Sequence, residues 1–203
     1  EVVGVLSMRE SNFNADFVDL SRIAAEESIP MHYAENTDTK ALAKILLDLE
    51  ADIIFAVGWS QLLGTQILDI PRHGVVGFHP AALPQNRGRH PLIWSIALGL
   101  EKTASTFFFI DEGTDSGPIL SQEEIEITPQ DDARSLYDKV LAILPGQINR
   151  IIDNLVKGTL RGTMQNHELA NFWRKRGASD GLIDWRMSAQ AVYNLTRALT
   201  HPY

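Results

Sequence analysis

An α/β fold, with a mostly parallel sheet and helices on both faces, follows from two features of the sequence. Short β-branched runs alternate with stripes at helical spacing through the first half of the chain. The 203 residues, 44% of them apolar, suffice for one sizeable core. Strands joined by helices pair in parallel and bury both faces, and such sheets carry their sites at the carboxyl ends of the strands.

The first run, 2–6, reads Val-Val-Gly-Val-Leu and is a strand. Leu20, Ile23 and Ala24 mark a weak helix; Ala41, Leu42, Ile45, Leu46 and Leu49 mark a stronger one, with Thr37 or Asp38 as its cap. Residues 52–57 and 75–78 are further strands. Residues 105–111 and 118–127 form two more, joined by a loop too long for a two-residue hairpin turn. Thr128-Pro129-Gln130-Asp131 predicts a helix start, with Thr128 as cap and Pro129 in the first turn. Leu136, Val140, Leu144, Ile148, Ile151 and Leu155 carry that helix's stripe, and Pro145 is expected to bend it without ending it. The chain opens in an apolar run and closes on His201-Pro202-Tyr203 after a helical pattern, so both ends are expected to be cuts in a longer protein.

Composition excludes several classes of function. A net charge of −8 argues against binding a phosphate backbone, and Arg174-Lys175-Arg176 is too short to reverse it. Without cysteine there is neither disulfide nor thiolate chemistry, and the six histidines lack metal-ligand spacing, so no metal is expected. Neither the dinucleotide fingerprint nor the phosphate loop occurs. Ser60, in Gly58-Trp59-Ser60-Gln61, lacks the glycines of a nucleophile elbow. No window has the apolar length of a membrane span, and no secretory leader is visible; a cytoplasmic protein is expected.

Two segments carry chemistry. His79 leaves an apolar strand at its carboxyl end, in Gly77-Phe78-His79-Pro80-Ala81-Ala82-Leu83-Pro84. Asp115 lies between glycines in Asp111-Glu112-Gly113-Thr114-Asp115-Ser116-Gly117. Alone, the first reads as a loop histidine and the second as a turn former. Together they supply groups that move protons and stabilise a developing oxyanion.

These segments resemble the signature of the formyltetrahydrofolate-dependent formyltransferases, roughly Asn-x-His-x-Ser-Leu-Leu-Pro-x-x-x-Gly followed by Asp-x-Gly-x-Asp-x-Gly. The family includes methionyl-tRNA, glycinamide ribonucleotide and nucleotide-sugar enzymes. The resemblance implies a Rossmann-like formyltransferase N-terminal domain over 1–179, without its first βα unit. The segment 180–203, with Asp180-Gly181-Leu182-Ile183-Asp184-Trp185, would begin a linker to a C-terminal region that is cut short. The implied co-substrate is N10-formyltetrahydrofolate, and the implied catalytic residues are His79, for the oxyanion, and Asp115, to orient His79 and accept the amine's proton. Folate is expected along Ala81, Ala82, Leu83 and Pro84, with Trp59 and Leu62 of the loop 57–62 and Asp111 and Gly113 of the second segment.

Two departures matter. Gly77 stands where the family has an Asn that donates to the oxyanion, and Ala81 stands where it has Ser. Asn86 or backbone amides are candidate replacements. The short, acidic stretch 8–20 resembles that of the nucleotide-sugar enzymes, so a nucleotide-linked amino sugar is the expected acceptor, with Arg87 and Arg89 on its phosphates or merely bracing the helix at Pro91. Methionyl-tRNA formyl transfer, formyl hydrolysis and an inactive folate-binding module remain the alternatives. The implied partners are folate and a small amine, without membrane or nucleic acid; a homodimer is left open.

Overall fold

The computed structural model describes residues 1–10, 17–34, 38–59 and 62–201. Thr37, Ser60, Pro202, Tyr203 and the middle of the acidic stretch, 11–16, lie outside the described residues. The chain divides into two compact units, Glu1–Phe55 with Trp59–Val75 and Ala56–Gly58 with Val76–Tyr203.

In the first unit β1 (Val5–Ser7) pairs in parallel with β2 (Met31–Tyr33), and α1 (Ser21–Glu26) lies between them in the chain. Strand β2 has no counterpart among the runs read from the sequence; its pairing with β1 defines it. Helix α2 (Thr39–Asp48) starts where a carboxylate can satisfy a free amide: Asp38 accepts from the Ala41 N–H at 2.8 Å. After β3 (Ile54–Ala56) comes the short α3 (Thr65–Leu68). Leu42, Leu46 and Ile67 form the buried cluster here, with Leu6, Ile54 and Trp59 packed against it.

The second unit is built on β4 (Val75–His79) and its successors: β5 (Arg87–Gly88), α4 (Pro91–Ala97), β6 (Lys102–Phe109) and β7 (Ile119–Glu126). The sheet order is β3-β4-β6-β7. The pairs β4–β6 and β6–β7 are antiparallel; the loop between β6 and β7 carries no crossover helix and reverses the chain. Mixed pairing of this kind leaves the α/β class intact.

Helix α5 (Ala133–Val156) runs unbroken through Pro145. Its start differs from the sequence expectation. Asp131 accepts from both the amide (2.7 Å) and the hydroxyl (2.9 Å) of Thr128, and Arg197 donates to the carbonyls of Thr128 and Asp131. Thr128–Asp131 is thereby closed as a turn, and the cap passes to Asp132, which exchanges hydrogen bonds with Ser135. Gln147, an unexpected member of the buried stripe, is satisfied by Ser105 and Ser121. Then follow β8 (Phe172–Trp173), parallel to β5, and α6 (Ala189–Ala198). The core joins Leu92, Ile93 and Ile96 of α4 to Ile125, Leu136, Val140 and Ala198.

Candidate functional site

His79 ends β4 opposite Thr106 of β6, and it is buried. The loop that follows is fastened from beneath. Thr106 Oγ1 donates to the Ala81 carbonyl at 2.7 Å, Gln122 Nε2 to the Leu83 carbonyl at 2.9 Å, and Thr103 Oγ1 to that of Pro80 at 3.3 Å. The peptide bond between Leu83 and Pro84 is cis. Ala81 and Leu83 are therefore buried with their carbonyls engaged, whereas Ala82 and Pro84 stay half-exposed.

The chain then turns back over the histidine. His79 Nε2 lies 2.7 Å from the carbonyl oxygen of Asn86. A carbonyl only accepts, so Nε2 carries a proton and Nδ1 is left for Asp115, whose Oδ2 is 3.7 Å away. The same Oδ2 accepts from the Gly88 N–H at 2.8 Å. Segment 86–88 thus offers a carbonyl to the histidine and an amide to the carboxylate. Gly88 makes this possible: at φ +104, a Cβ there would run into the Trp173 carbonyl. His79 and Asp115, the two residues expected to do chemistry, are brought together with side chains only 6% and 20% exposed.

Asp111 and Gly113 fold the second loop on itself: Asp111 Oδ1 accepts from the Gly113 amide at 3.0 Å and from the Ser116 hydroxyl at 2.6 Å. Trp59 and Leu62 belong to the first unit; Trp59 packs on its cluster and Leu62 is fully open to solvent. Among the described residues no group of three His, Asp or Glu could hold a metal.

The two arginines part company. Arg87 is buried, and its guanidinium donates to Gln165 Oε1 at 2.6 Å and to His167 Nδ1 at 3.1 Å. It braces the loop from inside, so the expectation that it meets an acceptor's phosphates is corrected. Arg89 is exposed, and its amide donates to the Trp173 carbonyl at 3.0 Å. Burial, and then the charges of Arg89, Lys175 and Arg176, hold the pKa of His90 below its ordinary value. The acidic chain therefore carries a local positive field beside the loop.

Gly77 has no room for a side chain. A Cβ there would lie 2.8 Å from Ile110 Cγ1 and 3.0 Å from Phe108 Cζ. Its φ is not positive; packing, and not backbone conformation, keeps it a glycine.

Sequence reasoning missed Gln165 and Asn171. Gln165 Nε2 donates to the carbonyls of Asp115 (2.9 Å) and Gly117 (2.7 Å) while its oxygen receives Arg87. Asn171 Oδ1 accepts from the Asn86 amide at 2.7 Å, and its Nδ2 donates to Asn86 Oδ1 at 3.2 Å. Neither belongs to a local motif; only the fold brings them to the site.

A family profile described as formyl transferase matches residues 1–148. The chain is 33% identical over 178 residues to a methionyl-tRNA formyltransferase of Geobacter metallireducens, an alignment covering 88% of this chain and 57% of that protein. The chain thus spans little more than half the length of that relative. A 4-N formyltransferase from Francisella tularensis is similar in structure, with a TM-score of 0.73 at 23% identity, covering 90% of this chain and 73% of that one. WlaRD, a sugar 3N-formyl transferase solved in the presence of dTDP and 5-N-formyl-THF, has a TM-score of 0.77 at 18% identity, covering 96% and 68%.

Proposed function

The chain belongs to the formyl transferase family, and from that premise we propose that it transfers a formyl group from N10-formyltetrahydrofolate to the primary amine of a nucleotide-linked amino sugar. The observation that carries this reading is the pair formed by the buried His79, at the carboxyl end of β4, and the half-buried Asp115, with Nδ1 and Oδ2 3.7 Å apart.

The amine nitrogen attacks the formyl carbon, and its proton goes to the Asp115–His79 pair directly or through a water. With Nε2–H held on the Asn86 carbonyl, protonation at Nδ1 makes His79 an imidazolium between two acceptors. That charge stabilises the oxyanion. Asn86, whose Nδ2 has no hydrogen-bond partner among the described residues, stands in for the amide that Gly77 lacks. When the carbon–N10 bond breaks, the pair returns a proton to N10. Folate is assigned to the half-exposed face of Ala82 and Pro84 and to the Asp111–Gly113 turn. The catalytic domain is assigned to 1–179.

The acceptor reading is supported by the short acidic stretch after β1 and by the positive charges of Arg89, Lys175 and Arg176 around His90. The identity to the Geobacter protein favours a second reading, with charged initiator transfer RNA as acceptor. Release of tetrahydrofolate, measured with N10-formyltetrahydrofolate and a panel of nucleotide amino sugars, tests the first. Comparable formylation of the initiator RNA would overturn it, and formate release without any acceptor would make the protein a hydrolase.

A further inference from the structure

We propose that Asn171 is a positioning residue that sets which nitrogen of His79 carries the proton, acting through Asn86. The proposal rests on the reading of His79 as a working residue of the formyl-transfer site. Neutral histidine has two tautomers, and the nitrogen that holds the proton is dictated by the partner of the other. Asp115 by itself would draw the proton to Nδ1, because a carboxylate faces that nitrogen. The Asn86 carbonyl, 2.7 Å from Nε2, opposes this and keeps the proton on the far side of the ring.

That carbonyl is aimed by a backbone conformation that needs support. Asn86 has φ +62, in the left-handed region, which an asparagine tolerates but does not prefer. Asn171 supplies the support with two hydrogen bonds that run head to tail, from the Asn86 amide to Oδ1 and from Nδ2 to Asn86 Oδ1. The Asn86 amide can only donate, so it fixes which end of the Asn171 carboxamide faces it. The Asn86 carbonyl shares a peptide plane with the Arg87 amide, which donates to the Asn171 carbonyl, while the Arg89 amide on the Trp173 carbonyl holds the two segments in register without the side chain. Removing that side chain leaves the plane on the Arg87 hydrogen bond alone, against the left-handed φ of Asn86, while Arg89 keeps the ribbon in place. Once Asn86 relaxes from that φ and its carbonyl turns, the proton moves to Nδ1 and His79 becomes a neutral donor to Asp115. The vacant nitrogen is then Nε2, on the side of the ring away from Asp115, so no unprotonated nitrogen faces the carboxylate to share the amine's proton with it.

The experiment compares the parent protein with Asn171→Ala and Asn171→Asp. The nitrogen-15 spectrum of labelled histidine identifies the protonated nitrogen, and a His79→Gln sample assigns the His79 signals among the six histidines. The parent is expected to show the Nε2–H form and Asn171→Ala a shift toward Nδ1–H. kcat should fall about 10- to 100-fold with KM little changed, the loss typical of misplaced catalytic groups. Asn171→Asp still accepts from the Asn86 amide, and the Asn86 carboxamide can turn to donate to it, so this variant should restore the parent spectrum, while kcat stays low because that turn takes Asn86 Nδ2 away from the oxyanion. An unchanged His79 spectrum in Asn171→Ala overturns the inference, even if activity falls. A tautomer change in a protein that formylates no amine supports this role of Asn171 and refutes the proposed function instead.

Discussion

Gly77→Asn would return to the chain the residue that the family signature carries, yet the structure predicts loss. Gly77 is buried in β4 directly opposite Phe108 of β6. An added Cβ would sit 2.8 Å from Ile110 Cγ1 and 3.0 and 3.1 Å from two atoms of the Phe108 ring, so both side chains must shift. Overpacking of that kind costs about 1–3 kcal/mol. A carboxamide left without a partner between a phenyl ring and an isoleucine costs about 1–3 kcal/mol more. The sum centres on about 4 kcal/mol, which for a domain of this size lowers Tm by roughly 8–16 °C. The gain expected of a correctly placed oxyanion donor, about 2.7–4 kcal/mol in the barrier, is not realised, because the ring occupies the space that the amide would need. Thermal and denaturant unfolding of the parent, Gly77→Ala, Gly77→Asn, Phe108→Ala and the Gly77→Asn/Phe108→Ala pair separates the contributions. Gly77→Ala isolates the Cβ, and the double variant should recover about 1 kcal/mol or more relative to additivity. A Gly77→Asn protein as stable as the parent, or strict additivity in the double variant, refutes the steric account.

His79→Ala and Asp115→Asn should each lower turnover by at least about 100-fold in a folded protein, as loss of an oxyanion or proton-transfer group does; circular dichroism and single-turnover assays check both halves. Arg89→Ala should raise KM for a nucleotide amino sugar with Tm unchanged, whereas Arg87→Ala, which strips Gln165 of its donor, should show up in Tm first. Asp131 adds a pH signature: burial alone would raise its pKa, but hydrogen bonds from Lys139, Thr128 and Ser135 outweigh this and lower it to about 2. A lowered carboxyl stabilises the fold above its unfolded pKa and ceases to do so as pH falls from about 4 to about 2, so Asp131→Ala should cost about 2 kcal/mol at pH 7 and almost nothing at pH 2 by urea unfolding.

Residues that act through their own neighbourhood were legible in the sequence. β4 reads as a strand because its apolar run is continuous, and His79 and Asp115 stand out by their place at a strand end and between glycines. Asp38 was readable as a cap because the helical stripe begins just behind it. Thr128 carried the same local pattern and was decided otherwise by Arg197, 69 residues on, which closes the turn. Strands of two or three residues, such as β5 and β8, have no pattern of their own and exist through pairing. Arg87 read as a surface cation because nothing near it in sequence could satisfy a buried guanidinium; Gln165, 78 residues away, does. Asn171 lies 85 residues from Asn86 and no periodicity points to it.

The fold and the site are held by different kinds of force. Between Ile151 and Leu195 no apolar side chain is buried among the described residues, so the stretch that braces segment 86–88 and the Asp115 loop adds nothing to the apolar core. It is attached by the short ribbon of β5 and β8, the bridge between Ile119 and Thr163, and the side chains of Gln165 and Asn171. Such a stretch can peel away at a free-energy cost well below that of melting the sheet. Warming or mild denaturant should therefore loosen the geometry around His79 before the sheet yields, and amide exchange in 163–173 should run ahead of exchange in β6. In this protein the temperature at which activity ends and the temperature at which structure ends are set independently, and evolution can move one without the other.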